Sequence, residues 1–527
     1  MIYVVGSGPA GVSCASALLS RGARVTMLDA GVELEPEIQQ AVARLSSHAP
    51  GEWDAAALER IKRPTEVRDR AVPLKAAYGS LFPYVHAPRR LRFETHGVDA
   101  SPSFARGGLS NVWGATVLPY HPRDLAGWPF GLDELAPHYA AAARLMGASG
   151  TTDRLAAQFP LFIDGSSFLR PSPQAEALMS DLERNAEALE AAGWSFGYAR
   201  LAVEAGTNDA GQACVYCGLC LYGCPYGLIY NAASTLGRLR DHDHFTYRPE
   251  VVVTRVVESA GGVRIHGESR TSGERISFDG DRVYLAAGTY NTTAILLASL
   301  DAYETPVRIL DSQIFLLPTL RYRGVPEVSR QPLHTLTQIF VELLQPALSP
   351  RTFHLQVYTY NDWYIDAVKR RLGVLHHLVQ PWLNTVLGRL VVFQGYLPSE
   401  LSPEITATLR AGDAANTLVL EARENTAARP AIDEVVAVLG RHRRQMRAIP
   451  LVPLLEISAP GRGYHTGGSF PMRASPAPFE SDRWGRPYGF ERVHAVDATV
   501  FPSIPAGPIT FTVVANAHRI ATEWATA

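Results

Sequence analysis

The strongest constraint on what this chain folds into lies in its first thirty residues. Ile2-Tyr3-Val4-Val5 is a short apolar run suited to a buried parallel strand, and it leads directly into Gly6-x-Gly8-x-x-Gly11. An apolar helical stretch follows (Val12, Ala15, Leu18, Leu19), then Arg24-Val25-Thr26-Met27-Leu28 as a second strand, closed by Asp29. Each part has a task in holding a dinucleotide. Gly6 permits the tight turn, Gly8 lets the backbone approach a pyrophosphate, and Gly11 lets helix and strand pack closely. The helix N-terminus offers free N–H groups and the positive end of its dipole to phosphates. Asp29 can accept hydrogen bonds from ribose hydroxyls. Strand, glycines, helix, strand and acid in this order predict a Rossmann-like dinucleotide-binding unit, without separating FAD from NAD.

Composition sets the frame around that unit. At 527 residues the chain is long enough for several units or two large ones. With 46 % hydrophobic and 19 % charged residues it can bury a large core and is not a disordered chain. A net charge of −2 supplies no basic field, so no nucleic-acid partner is expected. Five cysteines rule out a disulfide-framework fold. The first strand begins at residue two, with no basic segment before it, and no apolar run approaches the ~20 residues of a membrane span. The expectation is a soluble or peripheral cytoplasmic protein, with export alongside a partner subunit as the alternative.

The other end of the chain separates FAD from NAD. It reads Gly463-Tyr464-His465-Thr466-Gly467-Gly468-Ser469-Phe470-Pro471-Met472, then Val493-His494-Ala495-Val496-Asp497-Ala498-Thr499-Val500-Phe501-Pro502, then Pro508-Ile509-Thr510-Phe511. This resembles the C-terminal signature of the glucose–methanol–choline (GMC) oxidoreductases. Two internal segments agree. Arg106-Gly107-Gly108-Leu109-Ser110-Asn111-Val112-Trp113-Gly114 is similar to the family's glycine-rich flavin loop, and Val283-Tyr284-Leu285-Ala286-Ala287-Gly288-Thr289 to its strand and turn. The matches follow the family's order almost from end to end, with only a loose match between about 300 and 450.

The resemblance implies an α/β fold, in which a Rossmann-like FAD-binding domain interleaves with an α+β substrate domain. The flavin domain is expected over 1–50, 95–120, 235–300 and 455–527, and the substrate or cap domain over 51–94, 121–234 and 301–454. It also implies FAD contacts from Gly107, Gly108, Ser110, Ala287 and Gly288. Asn111 is expected near the isoalloxazine and Val252 and Val253 near the adenine. Asp497 and Ala498 are expected near the pyrophosphate and ribityl chain, with Thr510 beside them. No histidine lies in the Gly107–Gly114 loop, so FAD is expected to be held without a covalent link.

His465 is implied to lie over the reactive face of the flavin as the catalytic residue. Oxidising a carbinol requires a proton to leave oxygen and a hydride to leave carbon, and an imidazole suits the first task. The Gly-flanked loop around it permits close approach to a ligand. Family members carry a second His or Asn near the closing helix; here Gly507 or Pro508 occupies that place, and neither can hold a hydroxyl. Thr510 and Asn516 are the candidate substitutes.

Four of the five cysteines fall in Cys214-x-x-Cys217-x-x-Cys220-x-x-x-Cys224-Pro225. That spacing matches a ferredoxin-type iron–sulfur run, with all four thiols on one [4Fe–4S] or three on a [3Fe–4S]. Zinc fits the tight spacing less well; disulfides or free thiols are the remaining reading. The loop 214–225 resembles that of FAD-dependent sugar and gluconate dehydrogenase subunits. There a [3Fe–4S] centre relays electrons; Cys214, Cys220 and Cys224 match best, with Cys217 extra. Cys14, on the first helix, reads as a small core residue.

In the middle, Trp363 to Leu390 is apolar at mostly helical spacing, with Pro381 expected to kink or divide it. A helical lid on the substrate domain is the plain reading, and contact of 363–390 with a membrane surface the alternative. The functional expectation is an FAD-dependent dehydrogenase. It would oxidise a hydroxyl of a sugar, polyol or other alcohol and pass electrons through the cluster to a protein carrier. A flavin/iron–sulfur reductase, a redox-neutral epimerase and a non-catalytic flavin- or metal-binding subunit are the alternatives.

Overall fold

A computed structural model describes residues 1–63, 74–84, 91–163, 167–207, 211, 213–363, 365 and 376–523. The N-terminal motif builds the middle of a five-stranded parallel sheet. Its order is Val493–Ala495, Arg282–Leu285, Ile2–Val5, Val25–Leu28, Phe245–Arg248. Ile2–Val5 pairs in register with both Val25–Leu28 and Arg282–Leu285. These strands are buried apolar runs, as a parallel sheet covered on both faces requires. The helix Pro9–Ser20 packs between this sheet and the closing helix Thr510–Glu523, where Ser13 Oγ donates to the carbonyl of Val514 at 2.8 Å. Residues from the two ends of the chain therefore meet around one cofactor-type motif.

A second, antiparallel sheet carries the other half of the fold. Its order is Ala448–Pro450, Ile314–Arg321, Leu390–Tyr396, Thr352–Tyr358, Ile339–Leu344, Trp194–Tyr198, and Glu456–Ile457 also pairs with Ile314–Arg321. The alternation of an antiparallel strand gives this sheet two faces. Phe315, Leu317, Val391 and Phe393 point to one side and bury against the helices Pro173–Glu183 and Ala428–Arg441. Ile314, Leu316, Val392, Gln394 and Tyr396 point to the other, toward the parallel-sheet half. Smaller sheets of three strands (Val251–Ser259, Gly262–Ser269, Arg275–Gly280) and four strands complete the frame.

The expected α/β class, with a Rossmann-like unit beside an α+β part, is the observed one. The segment after Asp29 forms the helices Pro36–Ser46 and Ala55–Lys62, and the stretch from Leu132 forms the helix Leu132–Leu145. Of the Trp363–Leu390 stretch, residues 364 and 366–375 lie outside the described residues, so the membrane-contact expectation falls in part there. The helix His376–Leu387 runs through Pro381. Among the described residues no helix is long and apolar enough to cross a membrane.

Candidate active site

The glycine motif turns between strand and helix with no room to spare at two of its three positions. Gly6 has φ +100°, and a Cβ there would lie 2.5 Å from the carbonyl oxygen of Ala286; a Cβ on Gly11 would lie 1.9 Å from that of Gly6. Gly8 differs: nothing lies within 4 Å of its Cβ position, and it lines a cavity of about 1010 Å³. Gly8 is also the N-cap of Pro9–Ser20, with no side-chain cap and no acidic residue in the first turn. The uncapped N–H groups and the dipole end therefore face open space, an arrangement suited to a phosphate.

Asp29 is buried beside this turn and lines the same cavity. Ser7 N–H and Oγ donate to its carboxylate at 3.2 and 2.6 Å, and Tyr247 OH at 2.9 Å. Burial raises its pKa, while the Ser7 and Tyr247 hydrogen bonds oppose that shift. Ser7 Oγ also accepts from Gly107 N at 2.9 Å, so one hydroxyl ties the acid, the glycine turn and the second glycine loop together.

That second loop is a left-handed turn, with φ +84° at Gly107 and +59° at Gly108. A Cβ on Gly107 would lie 2.7 Å from Asn231 Oδ1. Ser110 Oγ donates to the Gly107 carbonyl at 2.6 Å and accepts from Ala232 N at 2.9 Å. The Asn111 amide donates to the carbonyls of Arg106 and Gly108, and its oxygen accepts from Asn231 Nδ2 at 2.8 Å. Asn111 thus spends its polar atoms holding the loop; Gly108, Ser110, Val112 and Trp113 present the loop to the cavity.

On the opposite side, Gly288 caps the helix Thr289–Ser299 with φ +85° and an open Cβ position. Asp497 accepts from Gly288 N at 2.9 Å, Thr292 Oγ1 at 2.6 Å and Thr499 N at 3.0 Å. Ala287, Gly288, Asp497, Ala498, Thr510 and Val252 all line the cavity, at segments far apart in the chain. Gly11, Gly107 and Asn111 stand behind the lining.

His465 lines the same cavity. Its ring stacks on Tyr396 with centroids 4.9 Å apart and planes at 18°. Tyr464 before it takes a left-handed φ of +54°, a conformation that is uncommon for a bulky residue and costs about 1 kcal/mol or more. Burial, followed by the nearby His354, pushes the His465 pKa down to about 3, so its imidazole is neutral near pH 7. His465 Nδ1 is enclosed and has no hydrogen-bond partner among the described residues. Behind Tyr396 lies a buried hydrogen-bonded pair, His354 Nδ1 with Glu342 Oε1. Tyr396 OH accepts from Gln394 Nε2 at 2.5 Å.

Tyr396, Gln394 and the Glu342–His354 pair carry no motif, and the alternation in their strands is their only trace in the sequence. Of the two substitutes for the missing second His or Asn, Thr510 lines the cavity, whereas Asn516 is fully buried and accepts from Arg519 Nε at 3.1 Å.

The iron–sulfur and zinc expectations find no support. All five cysteines are free, and among the described residues no group of three or more His, Cys, Asp or Glu is arranged to hold a metal ion. The physical reason lies in how the loop packs. Cys214, Cys220 and Cys224 pack on the main core, whereas Cys217 packs with Tyr222 on a separate cluster around Leu45 and Leu219. The four thiols stay within electrostatic reach of one another, yet no three of them form a metal-holding group among the described residues. Burial raises the thiol pKa values of Cys214 and Cys217 to about 11 and about 12. The electron relay to a protein carrier, which rested on the cluster, loses its support with it.

No protein-family model and no curated protein matches the sequence. Among solved structures, pyridoxine 4-oxidase from Mesorbium loti covers 100 % of this chain and 99 % of its own, at 16 % identity and a TM-score of 0.59. Formate oxidase from Aspergillus oryzae RIB40, studied for a substitution's effect on its FAD modification, covers 99 % of this chain and 97 % of its own, at 13 % identity and a TM-score of 0.57. These likenesses establish a shared fold over the whole length.

Proposed function

We propose that this chain is a flavoprotein oxidoreductase of the GMC type that oxidises a CH–OH group of a small molecule, with His465 as its base. The observation that carries this reading is the single cavity lined by both the Gly8 and Asp29 cradle and His465. An extended ligand with a nucleotide end and a reactive ring fits such a space, whose volume is at the top of the roughly 300–1,000 Å³ usual for ligand sites. The residues present fit FAD. The open Gly8 position and uncapped helix N-terminus suit its pyrophosphate, Asp29 suits its ribose, and the loop Gly108–Trp113 with Ala498 suits the flavin side.

Bound FAD supplies the acceptor for the hydride that leaves the carbinol carbon. The chain's own residues do the rest. The alcohol proton passes to His465, whose enclosed Nδ1 leaves Nε2 as the atom that takes it. Tyr396 fixes the imidazole plane by stacking, and Gln394 fixes Tyr396. Thr510 and Tyr396 are the hydroxyls nearest in chemistry to the absent second His or Asn. With the relay unsupported, dioxygen is the simplest electron acceptor, and both structural relatives carry oxidase names.

The test is anaerobic flavin photometry on the purified protein. An added alcohol bleaches the visible flavin band, and readmitted air restores it with release of hydrogen peroxide. A protein that binds FAD yet is bleached by no alcohol, and only by a reduced carrier, refutes the reading.

A further inference from the structure

The cavity is not uniform along its length, and the difference lies in the antiparallel sheet. Strand Ile314–Arg321 presents Ile314, Leu316, Pro318 and Leu320 to the cavity, and strand Leu390–Tyr396 presents Tyr396, Gln394, Val392 and Leu390. The register pairs them as Ile314 with Tyr396, Leu316 with Gln394, Pro318 with Val392 and Leu320 with Leu390. The first pair stands at His465. At the second pair the wall is still polar, with Gln394 flanked by Gln356 and with Glu456 opposite Leu316. Beyond it every facing position of these two strands is apolar. Leu451 joins at the level of Pro318, donating its N–H to that residue's carbonyl, and Leu454 and Val386 line the same end.

This apolar wall is left partly uncovered. Leu316, Pro318, Leu320 and Leu390 are only partly buried, and Val386 is 44 % exposed. The reverse face of the same strands is fully buried against helices. A sheet apolar on both faces, with one face left open to a cavity, calls for an apolar occupant. From Tyr396 to Leu390 the wall runs six residues, about 20 Å.

Resting on the oxidoreductase reading, we infer that the alcohol oxidised here carries an extended apolar tail. Its hydroxyl end lies at His465, on the cavity side of the His465–Tyr396 stack, and the tail lies along Pro318, Val392, Leu320 and Leu390. The sugar or polyol expected from sequence resemblance has hydroxyls along its whole length, whereas on this sheet the polar side chains facing the cavity stop at Gln394, Gln356, Glu456 and Tyr358, and strands Ile314–Arg321 and Leu390–Tyr396 offer it nothing polar from Pro318 and Val392 onward. Burying each methylene against such a wall favours capture by about two- to four-fold.

The experiment measures the bimolecular rate of anaerobic flavin reduction in the holoenzyme with ethanol, butanol, hexanol, octanol and D-glucose. The expected result is a rise of about two- to four-fold per methylene up to the longer alcohols, with glucose the poorest probe. Leu390→Asn and, separately, Leu320→Asn should flatten the series, and the wild-type series alone already decides the matter if either variant fails to fold. A flat or falling series, or glucose outpacing octanol, overturns the apolar-tail assignment and leaves the oxidoreductase standing. Bleaching by none of the five overturns both.

Discussion

His465 works against its own burial. An imidazole held at a pKa of about 3 is neutral throughout the physiological range, so it is always ready to accept a proton, but it holds that proton only while a negative partner is present. Replacing His465 with Ala is expected to slow flavin reduction by about 10²- to 10⁴-fold, the usual contribution of a positioned general base, with FAD content unchanged. Its depressed pKa also predicts no loss of kcat/KM around pH 6.5 from this residue. Its protonation removes activity only as pH approaches 3, and a pH–rate profile with an acid limb at 6–7 that vanishes in the Ala variant contradicts the assignment. The glycines give a second contrast. Gly8→Ala should fold with an unchanged Tm and bind FAD more weakly, because its Cβ enters empty cavity; Gly11→Ala should not fold normally, because its Cβ meets a carbonyl at 1.9 Å. Thermal melting with and without added FAD separates the two.

At the scale of elements, the site depends on one short segment reading another. The loop Gly107–Asn111 is held by the start of the helix Ala232–Leu239 through Asn231, which caps that helix on Ala233 N at 2.9 Å and donates to Asn111 Oδ1. Asn231→Ala removes a cap worth ~1 kcal/mol together with the cross-link. The expected outcome is a Tm a few degrees lower, with a loss of FAD affinity larger than the loss of stability implies, read by flavin titration and melting of the apoprotein. The 214–225 loop illustrates the opposite case. Its cysteine spacing is that of a cluster ligand set, yet no metal-holding group forms among the described residues, and Cys217 packs with Leu219 and Tyr222 while the other three pack on the main core. Spacing reports what neighbouring side chains can reach, and packing determines which way they turn.

Across the whole molecule, the crossing from the small four-stranded sheet to the cavity-facing sheet runs through Asp311, between the strands Pro306–Ile309 and Ile314–Arg321. Its carboxyl is buried and accepts from Gly461 N at 2.9 Å, and burial pushes its pKa up to about 7. A group whose folded pKa exceeds its unfolded value of 3.8 contributes stability that is full below 3.8 and lost as pH rises toward 7. Asp311→Asn keeps the acceptor and removes the titration. The Tm difference, variant minus wild type, should therefore grow between pH 4 and 7 and level off above; a constant difference refutes the buried neutral carboxyl.

The strand–glycine–helix–strand–acid run specifies its own local fold because every interaction it needs lies within thirty residues: the turn at Gly6, the close packing at Gly11 and the acid at the strand end. The order of the later motifs led to the expectation that His465, Asp497 and Gly288 share one ligand; in the structure the three line one cavity. Three matters lay beyond that reach: which face of Leu390–Tyr396 looks inward, that Asn111 and Asp497 spend their hydrogen bonds on protein groups as far off as Asn231 and Gly288, and that the cysteine run forms no metal-holding group among the described residues. Each depends on contacts between residues distant in the chain, which strand alternation and residue spacing leave open until the sheets pack.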